Sequence, residues 1–221
     1  MPHLADSTPF GRKPDPARPW SYLRGIQPVS LCDWPGRVSC VLFLGTCNLR
    51  CPSCHNRKLA LEPEALPPLS AQRTMAYIEQ RSAWLDGLVV SGGEPTAVPG
   101  LDLILADLRR LGLEIKLDTN GLRPCVLREL LRAGLVQAAA VDLKGPWRKY
   151  PELTGGACDA DTAQERLDEV FRLAAEAPER LSFRCTLVPG LTEEDVAETR
   201  SCLPEGFGLN LQNYQPVDHI R

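Results

Sequence analysis

No apolar run in this 221-residue chain approaches the roughly 20 residues of a membrane helix, so no membrane association is expected. The opening residues, MPHLADSTPFGRKPDPARPW, lack the apolar core of a secretory signal, and a cytoplasmic protein is expected. Neither sign of charge dominates. The 28 acidic residues against 25 lysines and arginines leave −3, so no basic field invites nucleic acid. Short-period repeats are absent, as are low-complexity tracts beyond a proline-rich beginning. What is present is an ordinary globular composition, 43% hydrophobic and 24% charged, enough for one medium domain with a buried core.

Cysteine is the exception. Nine are many for such a chain, and an odd number cannot close into a complete internal disulfide set. In a reducing compartment a cysteine cluster reads as metal-binding or catalytic. Cys47, Cys51 and Cys54 fall within eight residues. Cys32, Cys40, Cys125, Cys158, Cys185 and Cys202 are scattered and read as small hydrophobic residues.

Seven of the 20 prolines lie in the first 36 residues, and residues 1–21 read as a flexible arm. Residues 22–221 then form one domain. It opens with a hairpin-like entry turning at Asp33-Trp34-Pro35-Gly36. Strand-like runs follow at Val38–Leu44, Gly87–Val90, Leu113–Leu117, Val136–Val141, Leu181–Val188 and Leu209–Tyr214. Helical patterns lie between them, at about Ser70–Leu85, Leu101–Leu111, Cys125–Ala133, Thr162–Ala177 and Glu193–Cys202. Ser70 and Thr192 are start signals, and Leu101, Ile104, Leu105 and Leu108 form one apolar face. Alternating strands and helices imply an α/β fold with a parallel sheet. The 185 residues after Gly36 give about 31 per unit over six units, close to the length of a βαβ unit. A closed eight-unit barrel takes about 250 residues, so a laterally open, six-unit barrel is expected.

Chemistry in such folds sits at the C-terminal ends of the strands. Four polar motifs obey that register: GTCNLRCPSCHN, SGGEPT, DTNG and DLKGP each follow a strand. The four are therefore expected to meet around one ligand.

Cys47-x3-Cys51-x2-Cys54 places three thiols on a short loop, and thiolates are the usual ligands of iron–sulfur clusters. A 4Fe–4S cluster needs four ligands and no local fourth cysteine follows, so one iron would stay open to a small molecule, by the logic of an open catalytic metal site. The alternative is a zinc site that adds His55, although adjacent Cys54 and His55 are awkward partners in one tetrahedron. In Ser91-Gly92-Gly93-Glu94-Pro95-Thr96 the glycines would let a ligand approach the backbone, and Glu94 could accept hydrogen bonds from an ammonium group. Asp118 or Thr119 could merely cap a turn, with Gly121 supplying positive φ. Asp142 and Lys144 share one strand face. The preceding Ala138-Ala139-Ala140 argues that this face is the lumen and leaves room for a ligand. Arg184, in a core strand, needs an anion, either a cofactor carboxylate or a structural salt bridge.

These motifs resemble the radical S-adenosylmethionine superfamily. The strings SLCDWPGRVSCVLFLGTCNLRCPSCHN, SGGEPT, DTNG, DLK and RCTLVPGLTEED, together running from about Ser30 to Pro216, resemble its glycyl-radical-enzyme activases. The resemblance implies a partial (β/α)6 TIM-like barrel. It also implies a 4Fe–4S cluster on Cys47, Cys51 and Cys54, and S-adenosylmethionine reductively cleaved there to generate a glycyl radical on a partner enzyme. The implied partner is an anaerobic ribonucleoside-triphosphate reductase, and the implied electron source a flavodoxin or ferredoxin type donor. By the same resemblance Gly92, Gly93 and Glu94 hold the amino group, Asp118, Thr119 and Asn120 lie beside the ribose, and Arg184 meets the carboxylate. Asp118, Thr119 and Asp142 resemble ligands of a monovalent cation, Lys144 is the catalytic candidate, and His55 and Asn56 stand behind these groups. Where the family carries an aromatic residue before the third cysteine this chain has Ser53. Adenine would then rest on backbone around Ser53 and on residues near Val188 or Tyr214. The rival readings are a radical enzyme acting on a small molecule, such as a deazapurine-forming synthase, and a non-catalytic iron–sulfur or zinc protein.

Overall fold

The computed structural model describes Leu4 and residues 13–216. Seven strands form one sheet in chain order: β1 (Leu23–Ser30), β2 (Ser39–Leu44), β3 (Gly87–Gly92), β4 (Glu114–Thr119), β5 (Ala138–Asp142), β6 (Leu181–Leu187) and β7 (Leu209–Asn213). β2 through β7 pair in parallel, which makes them the six expected strands. β1 pairs antiparallel with β2 and is the first arm of the expected hairpin. β1 and β7 remain edges, so the barrel is open on one side.

The inner strands read as unbroken apolar runs because helices cover their outer face. Leu88, Val89 and Val90 of β3 are all buried, as are Ala139, Ala140 and Val141 of β5. The covering helices start where local chemistry satisfies their first N–H groups. Ser70 accepts from the Arg73 N–H to open α2 (Ala71–Glu79), which follows a short α1 (Arg57–Leu61) that the pattern did not suggest. α3 (Leu101–Arg109) buries Leu101, Ile104, Leu105 and Leu108, the face read from spacing, and α4 (Pro124–Arg132) has proline in its first turn. After a one-turn α5 (Tyr150–Leu153), Asp159 accepts from Thr162 N–H at 2.8 Å to open α6 (Ala160–Glu176). Thr192 and Asp195 form a reciprocal capping box for α7 (Glu193–Ser201). The helix expected over Ser70–Leu85 stops at Glu79, and Ser82–Trp84 forms a separate 3-10 turn.

Apart from Leu4, the first twelve residues of the expected flexible arm lie outside the described residues. Its described end is tied down: Pro19–Tyr22 forms a 3-10 turn, and Trp20 Nε1 donates to Asp107 of α3 at 2.9 Å. Leu4 is buried and its carbonyl accepts from Ser70 N–H at 2.8 Å. Among the described residues no helix is long and apolar enough to cross a membrane, and all nine cysteines are free thiols.

Candidate active site

The loops that follow β2, β3, β4 and β5 line one cavity of about 400 Å³ at the C-terminal ends of the strands. Cys47, Cys51, Ser53, Cys54, Gly92, Gly93, Glu94, Asp118, Thr119, Asn120, Asp142, Lys144 and Arg184 all contribute to its wall. The structure therefore brings these thirteen residues singled out in the sequence to a single place.

The cysteine loop is held from several sides. Thr46, at φ 92°, is the one described non-glycine residue in the left-handed region, a conformation a β-branched residue adopts only under constraint. Its N–H donates to Leu59 of α1 at 3.1 Å, and its carbonyl accepts from Glu94 N–H at 2.8 Å. Asn56 donates through Nδ2 to the Gly92 carbonyl at 2.9 Å. On the far side Arg50 N–H reaches the Thr154 carbonyl at 3.1 Å. Burial pushes the Cys47 thiol up to about 11 and raises that of Cys54, with Lys144 opposing both. Thiolates there call for a positive centre, and a metal cluster would supply one. Among the described residues no three His, Cys, Asp or Glu side chains converge as ligands of a single ion. A cubane puts each thiolate on its own iron, so three anchors spread around a cavity suit it.

The two glycines serve a different purpose from the one the sequence suggests. A Cβ at Gly92, where φ is 130°, would overlap the Leu44 backbone, and one at Gly93 would overlap the Thr46 carbonyl oxygen. They are needed for backbone of the β3 turn to lie against the end of β2, rather than for close approach of a ligand alone.

Glu94 is 1% exposed and already well supplied with donors. Its Oε1 accepts from Thr96 N–H at 3.0 Å, Thr96 Oγ1 at 2.5 Å and Thr119 Oγ1 at 2.7 Å, while Oε2 accepts from Asn120 N–H at 2.6 Å. A carboxylate offers about four lone-pair sites, so Oε1 is filled and Oε2 has capacity for one further donor. Burial raises the Glu94 carboxyl above its usual range, and the hydrogen bonds from Asn120, Thr96 and Thr119 work against it. Asn120 Nδ2 also donates to Asn48 in the cysteine loop at 2.8 Å.

The cavity floor carries alternating charge. Asp142 and Arg184 are direct register partners on β5 and β6, and Arg184 Nε donates to Asp142 at 2.8 Å while Nη1 donates to Asp118 at 3.2 Å. The salt-bridge alternative for Arg184 is thus realised inside the chain. Lys116, two residues before Asp118 on β4 and on the same face, pairs with the Asp118 carboxylate. Burial raises the Asp118 carboxyl, with Arg184 and Lys116 opposing. For Asp142 burial is outweighed by Lys144 and Arg184, which hold its carboxyl below the ordinary range. Asp142 first, and the three cysteines in their thiolate form, favour the charged form of Lys144 against burial.

Several contributors escaped the sequence reading. Lys116 is one, and a lysine in the middle of an otherwise buried strand was the available signal. Asn48 and Thr154 carried none, because their roles are contacts between distant loops; Thr96, inside the SGGEPT motif, serves Glu94 two residues before it. Tyr214 does not line the cavity. It stacks on His55 at 5.0 Å between centroids and 16° between planes, so an adenine support at that end would involve His55 and Val188, which do line it.

The chain matches the Radical SAM superfamily over residues 41–203. It is 30% identical over 196 residues to a Methanocaldococcus jannaschii protein provisionally named a glycyl-radical enzyme activating enzyme, an alignment covering 88% of this chain and 80% of that one. It is 36% identical over 95 residues to the 7-carboxy-7-deazaguanine synthase of Hyperthermus butylicus, covering 42% and 39% of the two chains. In fold it is similar to Streptococcus suis SuiB crystallised with S-adenosylmethionine, with a TM-score of 0.59 at 17% identity, covering 79% of this chain and 40% of SuiB.

Proposed function

The chain belongs to the radical SAM superfamily, and on that premise we propose that it is a glycyl-radical-enzyme activase whose partner is an anaerobic ribonucleoside-triphosphate reductase. The observation that carries the reading is the single cavity in which three cysteines, the Glu94 turn, Lys144 and Arg184 meet. An alignment spanning most of both chains with the M. jannaschii protein supports the activase type.

When bound, a 4Fe–4S cluster and S-adenosylmethionine supply one-electron reductive scission of the sulfonium carbon–sulfur bond and the hydrogen-abstracting power that follows. The chain's own residues fix where that happens. Cys47, Cys51 and Cys54 would each hold one iron of the cluster. Glu94 Oε2 accepts from the amino group of the nucleotide, for which Gly92 and Gly93 shape the turn. The cofactor carboxylate is met by Lys144, the cation that faces the thiols, with Arg184 positioning Asp118 and Asp142 around it. Asn120 and Thr119 set the wall beside the ribose. Ser53, Val188 and His55 leave the adenine end lined by a small hydroxyl, an apolar side chain and a ring.

The open side suits a macromolecular substrate. The sheet ends at β7, whose residues Asn210–Asn213 are largely exposed, so a partner's glycine loop can enter laterally. The partial similarity to the H. butylicus synthase supports a second reading, a small-molecule substrate at the same cavity, over less than half of the chain.

The deciding experiment is anaerobic reconstitution of the cytoplasmic protein, reduction by a flavodoxin or ferredoxin type donor, and addition of S-adenosylmethionine with the reductase. A glycyl radical signal by electron paramagnetic resonance, dependent on all components, is expected. Cofactor cleavage that never yields a radical on the reductase, but is coupled to turnover of a small molecule, would replace this reading with the second.

A further inference from the structure

We propose that the acidic floor of the cavity takes no monovalent metal cation, because Lys116 supplies the positive charge there from within the chain. This goes beyond the activase reading and does not depend on the identity of the partner.

The cation set implied by resemblance is Asp118, Thr119 and Asp142, and the three do not fit together as ligands. Both Asp118 oxygens are already engaged, one by Lys116 and the other by Arg184. The Thr119 hydroxyl donates to Glu94 at 2.7 Å and accepts from Gly121 N–H at 3.1 Å. Asp142 is bound by Arg184 Nε at 2.8 Å.

The oxygen environment suited to a hard cation, a carboxylate together with a backbone carbonyl, does exist one step away. Its occupant is an ammonium: Lys116 Nζ donates to the Asp33 carbonyl at 2.8 Å and pairs with Asp118. Lys116 is 5% exposed and Asp118 7%, so neither is a solvated side chain with somewhere else to go. Arg184 takes the other Asp118 oxygen at 3.2 Å. With Lys116 and Arg184 set against Asp118 and Asp142, the floor is neutral before Lys144 is counted, and an added metal ion would be in excess. A tethered ammonium also pays none of the association entropy of a free ion. It joins the floor to the turn at Asp33, which follows β1. Lys116 is a positioning residue in this scheme: it holds Asp118, and through it Arg184.

The test compares the melting temperature of the full-length chain in potassium, sodium and tetramethylammonium chloride at one ionic strength, and the affinity of the anaerobically reconstituted protein for S-adenosylmethionine in the same salts. Wild type should be indifferent to the cation in both. Lys116→Met, with Lys116→Gln as a milder second variant, should lose stability in tetramethylammonium and regain it in potassium or sodium. The affinity should fall about tenfold in tetramethylammonium and recover with the small cations. Wild type melting several degrees higher in potassium or sodium would overturn the proposal, and that arm holds even if both variants fail to fold. Folded variants indifferent to the cation would overturn it too. Absence of a glycyl radical on the reductase would leave these readouts unmoved, so failure of the two proposals is distinguishable.

Discussion

Gly93 packs against Thr46 so closely that the Thr46 carbonyl oxygen occupies the space a Cβ would need, and the same carbonyl accepts the N–H of Glu94 at 2.8 Å. One contact therefore fixes both the strained start of the cysteine loop and the placement of the Glu94 carboxylate. The loop that would hold iron and the turn that would hold the nucleotide's amino group are a single mechanical unit.

Gly93→Ala should break that unit. Overpacking costs about 1–3 kcal/mol, and here the obstacle is backbone, which cannot rotate away. Chemical denaturation should show the loss, and iron retention after reconstitution should fall with it. Gly208→Ala, where nothing lies within 4 Å, is the control and should change neither.

Glu94→Gln and Glu94→Ala should differ. Glutamine removes the charge and should weaken S-adenosylmethionine binding by about tenfold or more, as a charge-assisted hydrogen bond is worth about 1.5–3 kcal/mol, while iron content stays unchanged. Alanine also strands the buried donors of Thr96, Thr119 and Asn120, each at about 1–3 kcal/mol, and should lower the melting temperature as well. Isothermal titration and calorimetry separate the two effects.

Arg184→Met should destabilise by about 3 kcal/mol, the lower end of the range for breaking a buried ion pair, because Asp142 keeps partial exposure while Asp118 does not. Denaturant titration measures it. Unchanged stability with lost cofactor affinity would instead assign Arg184 directly to the cofactor carboxylate.

Alanine at Cys47, Cys51 or Cys54 should each abolish the about four irons per chain of a 4Fe–4S cluster, with the paramagnetic signal lost in parallel. Alanine at the exposed Cys32 or Cys125 should leave iron content and spectrum intact. Iron analysis after anaerobic reconstitution decides.

Acid should weaken the start of α7. Asp195 accepts from Lys149 Nζ at 2.7 Å and Thr192 N–H at 2.8 Å and pairs with Arg148, and these contacts, Lys149 first, hold its carboxyl well below the usual range. A folded-state value below the unfolded one contributes stability above about pH 4. That contribution disappears as pH falls toward the folded value. The melting temperature of wild type should therefore exceed that of Asp195→Asn at pH 7, and the difference should shrink steadily below about pH 4.

Local order was legible wherever the cause lies within a few residues. The alternation of strand and helix, the capping residues Ser70 and Thr192, the apolar face of α3 and the spacing of Cys47, Cys51 and Cys54 are written in the chain, since hydrophobic period and ligand spacing act over one or two turns. The placement of four motifs directly after strands was enough to bring Glu94, Asp118, Asp142 and Lys144 to one rim. Tertiary structure decided the partners. Arg184 meets Asp142 because β5 and β6 align in that register; Glu94 fills Oε1 because β4 brings Thr119 beside it; Lys116 reaches a carbonyl 83 residues away. Charge neutralisation and close backbone approach depend on distances between segments remote in the chain, and no spacing along one segment encodes them.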